Sequence, residues 1–113
     1  MSRDSAHLLD ILRAAKLALS YLESKGKEEF FKDTQCQDAV IRRLEIIGEA
    51  AGRVSSATTT KFPKLPWKKM VSMRNIMIHE YEDVDLGIVW DTVQNDLPPL
   101  INLLSPLIPK EKA

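Results

Sequence analysis

A single cysteine in 113 residues leaves no internal disulfide and no CxxC pair for zinc or redox chemistry, so Cys36 is expected to be a packing residue. Long apolar runs are missing too. The longest are a few residues, far short of the roughly 20 that a spanning helix needs, and no signal peptide is visible, so a cytoplasmic protein that avoids the membrane is expected. Net charge is absent: 16 Lys and Arg balance 16 Asp and Glu, which argues against coating nucleic acid by bulk electrostatics. No segment of convincing length alternates with period two, and there is no internal repeat, Gly-rich phosphate loop or HExxH motif. These absences leave an all-helical reading with no resident metal or cofactor.

An apolar fraction of 44% suits one globular domain over residues 1–113 with one core. Asp4 or Ser5 can cap a first helix in which Leu8, Leu12, Ala15, Leu19 and Leu22 recur at helical spacing until Gly26 ends it. Thr34 and Gln37 form a capping-box pattern, and the helix they open carries Val40, Leu44, Ile47, Ala51 and Val54 on one stripe. Ile41, Ile46, Gly48 and Ala50 widen that stripe beyond one packing face, which predicts a second surface to bury. Gly48 and Gly52, four apart, would permit close backbone approach by another helix. The stretch from Ser55 to Phe62 reads as a polar loop, Pro66 to about His79 as a third helix, and Asp85 as the N-cap of a fourth. Pro98 and Pro99 must kink or restart that last helix.

The third helix carries the chemistry. Arg74, His79 and Tyr81 gather a permanent cation, an imidazole and a phenol within about two helical turns. A guanidinium fork matches phosphate oxygens, and an imidazole moves protons near neutrality, as phosphodiester chemistry requires. Trp67, Met70, Val71, Met77 and Ile78 mark an apolar side with Arg74 in its middle. Arg74 therefore needs either a carboxylate from another helix or an anionic ligand. Lys68, Ser72, Asn75 and His79 align on a neighbouring polar stripe, which reads as a solvated face or as support for a bound strand. Lys61, Lys64, Lys68, Lys69 and Arg74 form a basic run, followed by the acidic run Glu80, Glu82, Asp83, Asp85, Asp91 and Asp96. Such a pattern serves a local phosphate site or two mutually attracting solvated faces.

Arg74-Asn75-x3-His79-x-Tyr81 resembles the Rx4HxY signature of the HEPN superfamily, in particular the HepT-like toxins of its DUF86 branch. The likeness extends over the Ala39–Ala50 segment, the approach from Trp67 to Met73, and Asp85-Leu86-x-x-Val89-Trp90. It implies an all-α bundle of four to five up-and-down helices that forms a homodimer, and a metal-independent endoribonuclease acting as the toxin of a type VII pair. Arg74 and His79 would be catalytic, with Asn75, Lys68 and Ser72 supporting RNA. A minimal nucleotidyltransferase antitoxin of the MntA type would inactivate the toxin by adding AMP to Tyr81. One imidazole cannot comfortably serve as acid and base at once, so a dimer bringing two His79 side chains together would supply both. The second helix, with Ile41, Ile47, Gly48 and Ala51 among its apolar surface, is expected to contribute to the dimer contact. The alternative is a non-catalytic helical partner of a nucleotidyltransferase, with Arg74 and His79 holding a substrate or nucleotide phosphate.

Overall fold

The computed structural model describes residues 3–79 and 85–108, the side chains of 75–79 excepted. The element order is α1 (Arg3–Leu22), α2 (Lys27–Lys32), α3 (Thr34–Arg53), α4 (Ser56–Lys61), α5 (Trp67–His79), α6 (Leu86–Asp91), a π turn (Thr92–Asp96), α7 (Leu97–Leu104) and a 3₁₀ turn (Ser105–Leu107). Among the described residues four rods make the bundle: α1, α3, α5, and the bent run from α6 to α7. The all-α bundle expected from the sequence is what forms.

The apolar stripes explain the packing. Leu8, Leu12, Ala15 and Leu22 of α1 are buried, with Leu19 half-buried against them, and they meet Val40, Leu44, Ile47, Ala51 and Val54 of α3. The two helices run antiparallel. Asp4 at the start of α1 accepts from Ser55 just past the end of α3, while the Cys36 thiol near the start of α3 lies 3.8 Å from the Tyr21 carbonyl near the end of α1. Cys36 is buried, and burial pushes its thiol pKa up, as suits a packing residue.

α3 is the central helix, packed against α1 on one side and α5 on another. That arrangement corrects the expected dimer surface. Ile47, Gly48 and Ala51 are buried inside the chain and Ile41 is half-buried against the same core, so the wide stripe is consumed by two intramolecular neighbours.

Several local expectations shift. α1 ends at Leu22 rather than at Gly26, which instead precedes α2 as its N-cap. Asp33, not Thr34, caps α3, its carboxylate accepting from Cys36 N at 3.0 Å, while Gln37 donates its side-chain amide to Phe30 O at 2.9 Å. The segment read as a loop contains α4, started by Ser55, whose hydroxyl accepts from Thr58 N. Pro66 stands just ahead of α5, its carbonyl accepting from Met70 N at 2.9 Å. Asp85 caps α6 as expected, accepting from Ile88 N at 3.2 Å. The proline pair acts upstream of itself. Neither Pro98 nor Pro99 has an N–H for the carbonyl four residues back, and the helix absorbs the loss by widening to a π turn in which Leu97 N bonds Thr92 O.

The tie at Asp4 yields an acid-dependence. Hydrogen bonds from the Ser55 and Thr58 hydroxyls and from Ser55 N hold its carboxyl below the ordinary aspartate value. A group with a lowered folded pKa contributes stability that is present above its unfolded pKa, near 3.9, and lost as pH falls through the lower folded value. Asp4→Asn should therefore melt below the native chain at pH 7, with the gap closing as thermal scans are taken below about pH 4. A gap unchanged at the most acidic pH would show that the carboxylate does not hold α1 to α4.

Candidate functional site

The crossing of α5 over α3 is unusually close at one point. A Cβ built on Gly48 would lie 2.5 Å from Arg74 Cβ and 2.6 Å from Arg74 N, well inside contact distance. Only a residue without a side chain lets the two backbones meet here, so Gly48 determines where Arg74 starts. The close approach expected of the glycine pair is real at Gly48, and it is made within one chain. Gly52 has no such neighbour: a Cβ there would meet nothing within 4 Å.

From that crossing Arg74 opens onto a cavity of about 320 Å³ whose other walls are Gly48, Glu49, Gly52, Arg53 and Val71. Here the helical-wheel expectation is corrected. Arg74 is exposed rather than set within an apolar stripe, and Val71 is 37% exposed; among the described side chains of α5, Met70 and Met73 are buried and Trp67 is half-buried and donates its indole N–H to Phe62 O, while those of Met77 and Ile78 lie outside the described residues. No carboxylate lies within ion-pair distance of Arg74 among the described residues. A structural ion pair for Arg74 is therefore absent among the described residues.

The polar stripe is only partly brought to this place. Lys68 is exposed and does not line the cavity. Ser72 is half-buried and its hydroxyl donates to Lys69 O at 2.7 Å, which occupies its proton locally. His79 is the last residue of α5, about 7.5 Å along the helix axis from Arg74. The side chains of Asn75 and His79, and all of Tyr81, lie outside the described residues. The basic and acidic runs do meet: Lys69 Nζ is 3.0 Å from Asp96 Oδ1.

Glu49 and Arg53 are cavity residues that the sequence reading did not single out. A signal existed, since both flank the Gly48 and Gly52 positions on α3, but it needed the knowledge that α5 crosses at Gly48. Glu49 has Oε1 3.8 Å from Arg42 Nη1, and Arg42 also reaches Glu45 at 3.5 Å. A larger cavity of about 480 Å³, walled by residues such as Lys16, Leu19, Trp90 and Gln94, shares none of these side chains. Among the described residues no three His, Cys, Asp or Glu side chains cluster as a metal site would require, and no helix is long and apolar enough to cross a membrane.

Residues 11–107 match the family described as "Ribonuclease HepT-like". A protein of Methanocaldococcus jannaschii described as a gamma-glutamylcyclotransferase and putative RNase is 42% identical over 94 residues, which is 83% of this chain but 42% of that protein. A putative RNase of the same organism is 40% identical over 95 residues, covering 84% of this chain and 87% of its own length. A probable ribonuclease HepT of Thermococcus cleftensis is 39% identical over 83% of this chain and 86% of its own. No solved structure matches.

Proposed function

Because the chain belongs to the ribonuclease HepT-like family, we propose that it is an endoribonuclease that cuts RNA by internal attack of a ribose 2′-hydroxyl, with Arg74 and His79 as its catalytic pair. The observation that carries this reading is Arg74, fixed by the Gly48 crossing, opening onto a cavity, and without an ion-pair partner among the described residues. Attack of the 2′-oxygen on the adjacent phosphorus adds negative charge to the non-bridging oxygens. A guanidinium placed beside those oxygens stabilises that charge more than it stabilises the ground state. His79 takes the 2′-hydroxyl proton or gives one to the departing 5′-oxygen. The products are a 2′,3′-cyclic phosphate and a 5′-hydroxyl, and no metal ion enters the scheme. Asn75, Lys68 and Ser72 belong to this reading as supports for the strand, Lys68 through its exposed ammonium.

The acid and the base come from two copies of His79 in a homodimer. With Ile47, Gly48 and Ala51 committed inside the chain, the contact between copies lies on other surface. Sedimentation at micromolar concentration should return a dimer. A chain that sediments as a monomer and still cleaves RNA would remove the shared cleft from the mechanism.

Regulation in this reading falls on Tyr81. A nucleotidyltransferase antitoxin of the MntA type transfers AMP from ATP to the phenol, releasing pyrophosphate and placing a negatively charged diester and a base beside the cleft, where they repel and obstruct RNA. Incubation with that partner, ATP and magnesium should add AMP mass to the peptide containing Tyr81 as cleavage falls. Tyr81→Phe should stay active and gain no mass.

The function itself is tested by incubating the purified chain with end-labelled RNA in EDTA. Cleavage leaving cyclic phosphate ends is expected, with an all-2′-deoxy strand intact. Cutting of the deoxy strand, or loss of all cutting in EDTA, would reject the mechanism.

A further inference from the structure

Glycine weakens a helix unless something needs the space its side chain would fill, and Gly52, the next-to-last residue of α3, keeps part of that cost. At Gly48 the need is the backbone of α5. At Gly52 there is none inside the chain, because the residue is exposed and a Cβ would meet nothing within 4 Å. What lies in front of Gly52 is the cavity of about 320 Å³, and two guanidiniums line it: Arg74 from α5 and Arg53 from the last turn of α3. Arg53 is exposed, and none of the ion pairs among the described residues includes it. The one carboxylate in the wall, Glu49, is within 3.8 Å of Arg42. Two guanidinium forks flanking bare helix backbone suit an anion with more than one phosphate, since each fork matches one set of phosphate oxygens and the missing Cβ lets a sugar-phosphate chain lie against α3.

We propose that Arg53 and the bare backbone at Gly52 hold a second, non-reacting phosphodiester of the RNA beside the one served by Arg74, so that the cavity sets the path of the strand across α3. The proposal deepens the ribonuclease reading and takes from it only the identity of the strand. Arg53 is a binding residue in this scheme, acting in the ground state and the transition state alike. The competing account, a cation offsetting the C-terminal dipole of α3, would move stability and leave binding alone.

The test measures affinity for a fully 2′-O-methylated RNA, which cannot be cut, by anisotropy at several salt concentrations, with cleavage of unmodified RNA in parallel. Arg53→Ala should weaken binding about tenfold and reduce the slope of log K against log salt by about 0.7, the share of one phosphate on a single strand. In cleavage it should raise KM and leave kcat within about twofold, as expected when uniform binding is lost. Lys32→Ala, removing an exposed cation on α2, is the control for bulk charge. Gly52→Leu fills the cavity without changing charge. It should melt no lower than the native chain, yet weaken binding at least as much as Arg53→Ala. If Arg53→Ala matches Lys32→Ala in affinity and salt slope, there is no phosphate site at Arg53 and the proposal falls. If Gly52→Leu alters sedimentation but binds RNA normally, the cavity is a contact between copies and the proposal falls as well. If the native chain binds but cuts no RNA while both variants lose binding as described, the phosphate site stands and the ribonuclease reading fails.

Discussion

Gly48→Ala should cost the protein both stability and activity, the second more than the first. The new methyl would sit 2.5 Å from Arg74 Cβ and 2.6 Å from Arg74 N. One of those atoms is backbone and the other is rigidly attached to it, so no side-chain rotation relieves the clash and α5 must move off α3. Overpacking of this kind costs about 1–3 kcal/mol, against roughly 0.5–1 kcal/mol gained from alanine's better helix propensity. A net loss of about 1–2 kcal/mol in urea unfolding is expected, and Gly48→Val should be worse. Arg74 moves with the helix. A displacement near 1 Å at a positioned catalytic group can lower rate by about a hundredfold, so cleavage under conditions where the variant is fully folded should fall well beyond the stability change. Gly52→Ala, four residues on, is the internal contrast: with nothing to strike, it should stabilise the chain, by no more than about 0.5 kcal/mol because Gly52 is the next-to-last residue of α3. Equal, small effects at the two positions would mean that α5 does not cross α3 at Gly48.

The same pair of glycines shows what was legible in the sequence and what was not. The stripe from Leu8 to Leu22 and the stripe from Val40 to Val54 could be read directly, because burial on one face of a helix leaves a period in the residues themselves. Gly48 could be read as a place of close approach, since small side chains mark such places. The identity of the approaching helix could not. An extra apolar face on α3 fits a second copy of the chain or a second helix of the same chain equally well, and only the three-dimensional order of the rods shows that α5 covers it. The helix at Ser56–Lys61 was hidden by its three threonines, whose preference for other conformations is overridden by the Ser55 cap and by Asp4 reaching over from α1. The prolines announced a break correctly, but the break appears two to six residues earlier, where the missing N–H groups would have bonded. For the site, Arg74 is legible in the sequence as an anomaly, although in the structure it is exposed beside a 37% exposed Val71 and not set in an apolar stripe. Its anomaly in the structure is the absence of an ion-pair partner among the described residues, which no sequence pattern displays.

That absence makes Arg74 separable from the fold by mutation. Arg74 is exposed and has no ion pair among the described residues, so Arg74→Ala should change unfolding free energy by no more than about 0.5 kcal/mol. A structural ion pair would instead register in the melt. Cleavage should respond in the opposite way: removing a donor aimed at developing charge costs on the order of 10²–10³ in rate. Arg74→Lys should recover little, because an ammonium offers one point of charge where the fork offers two parallel bonds. His79→Ala should lose about 10²–10⁴, the range for a proton-transfer group. The decisive measurement is the double variant. If the two residues act on one transition state, removing both should cost less than the product of the single losses, since each is useful only while the other is present. Strictly multiplicative losses would mean that Arg74 merely binds RNA while His79 acts alone. Wild-type cleavage by either single variant, in a protein that melts normally, would remove that residue from the catalytic pair altogether.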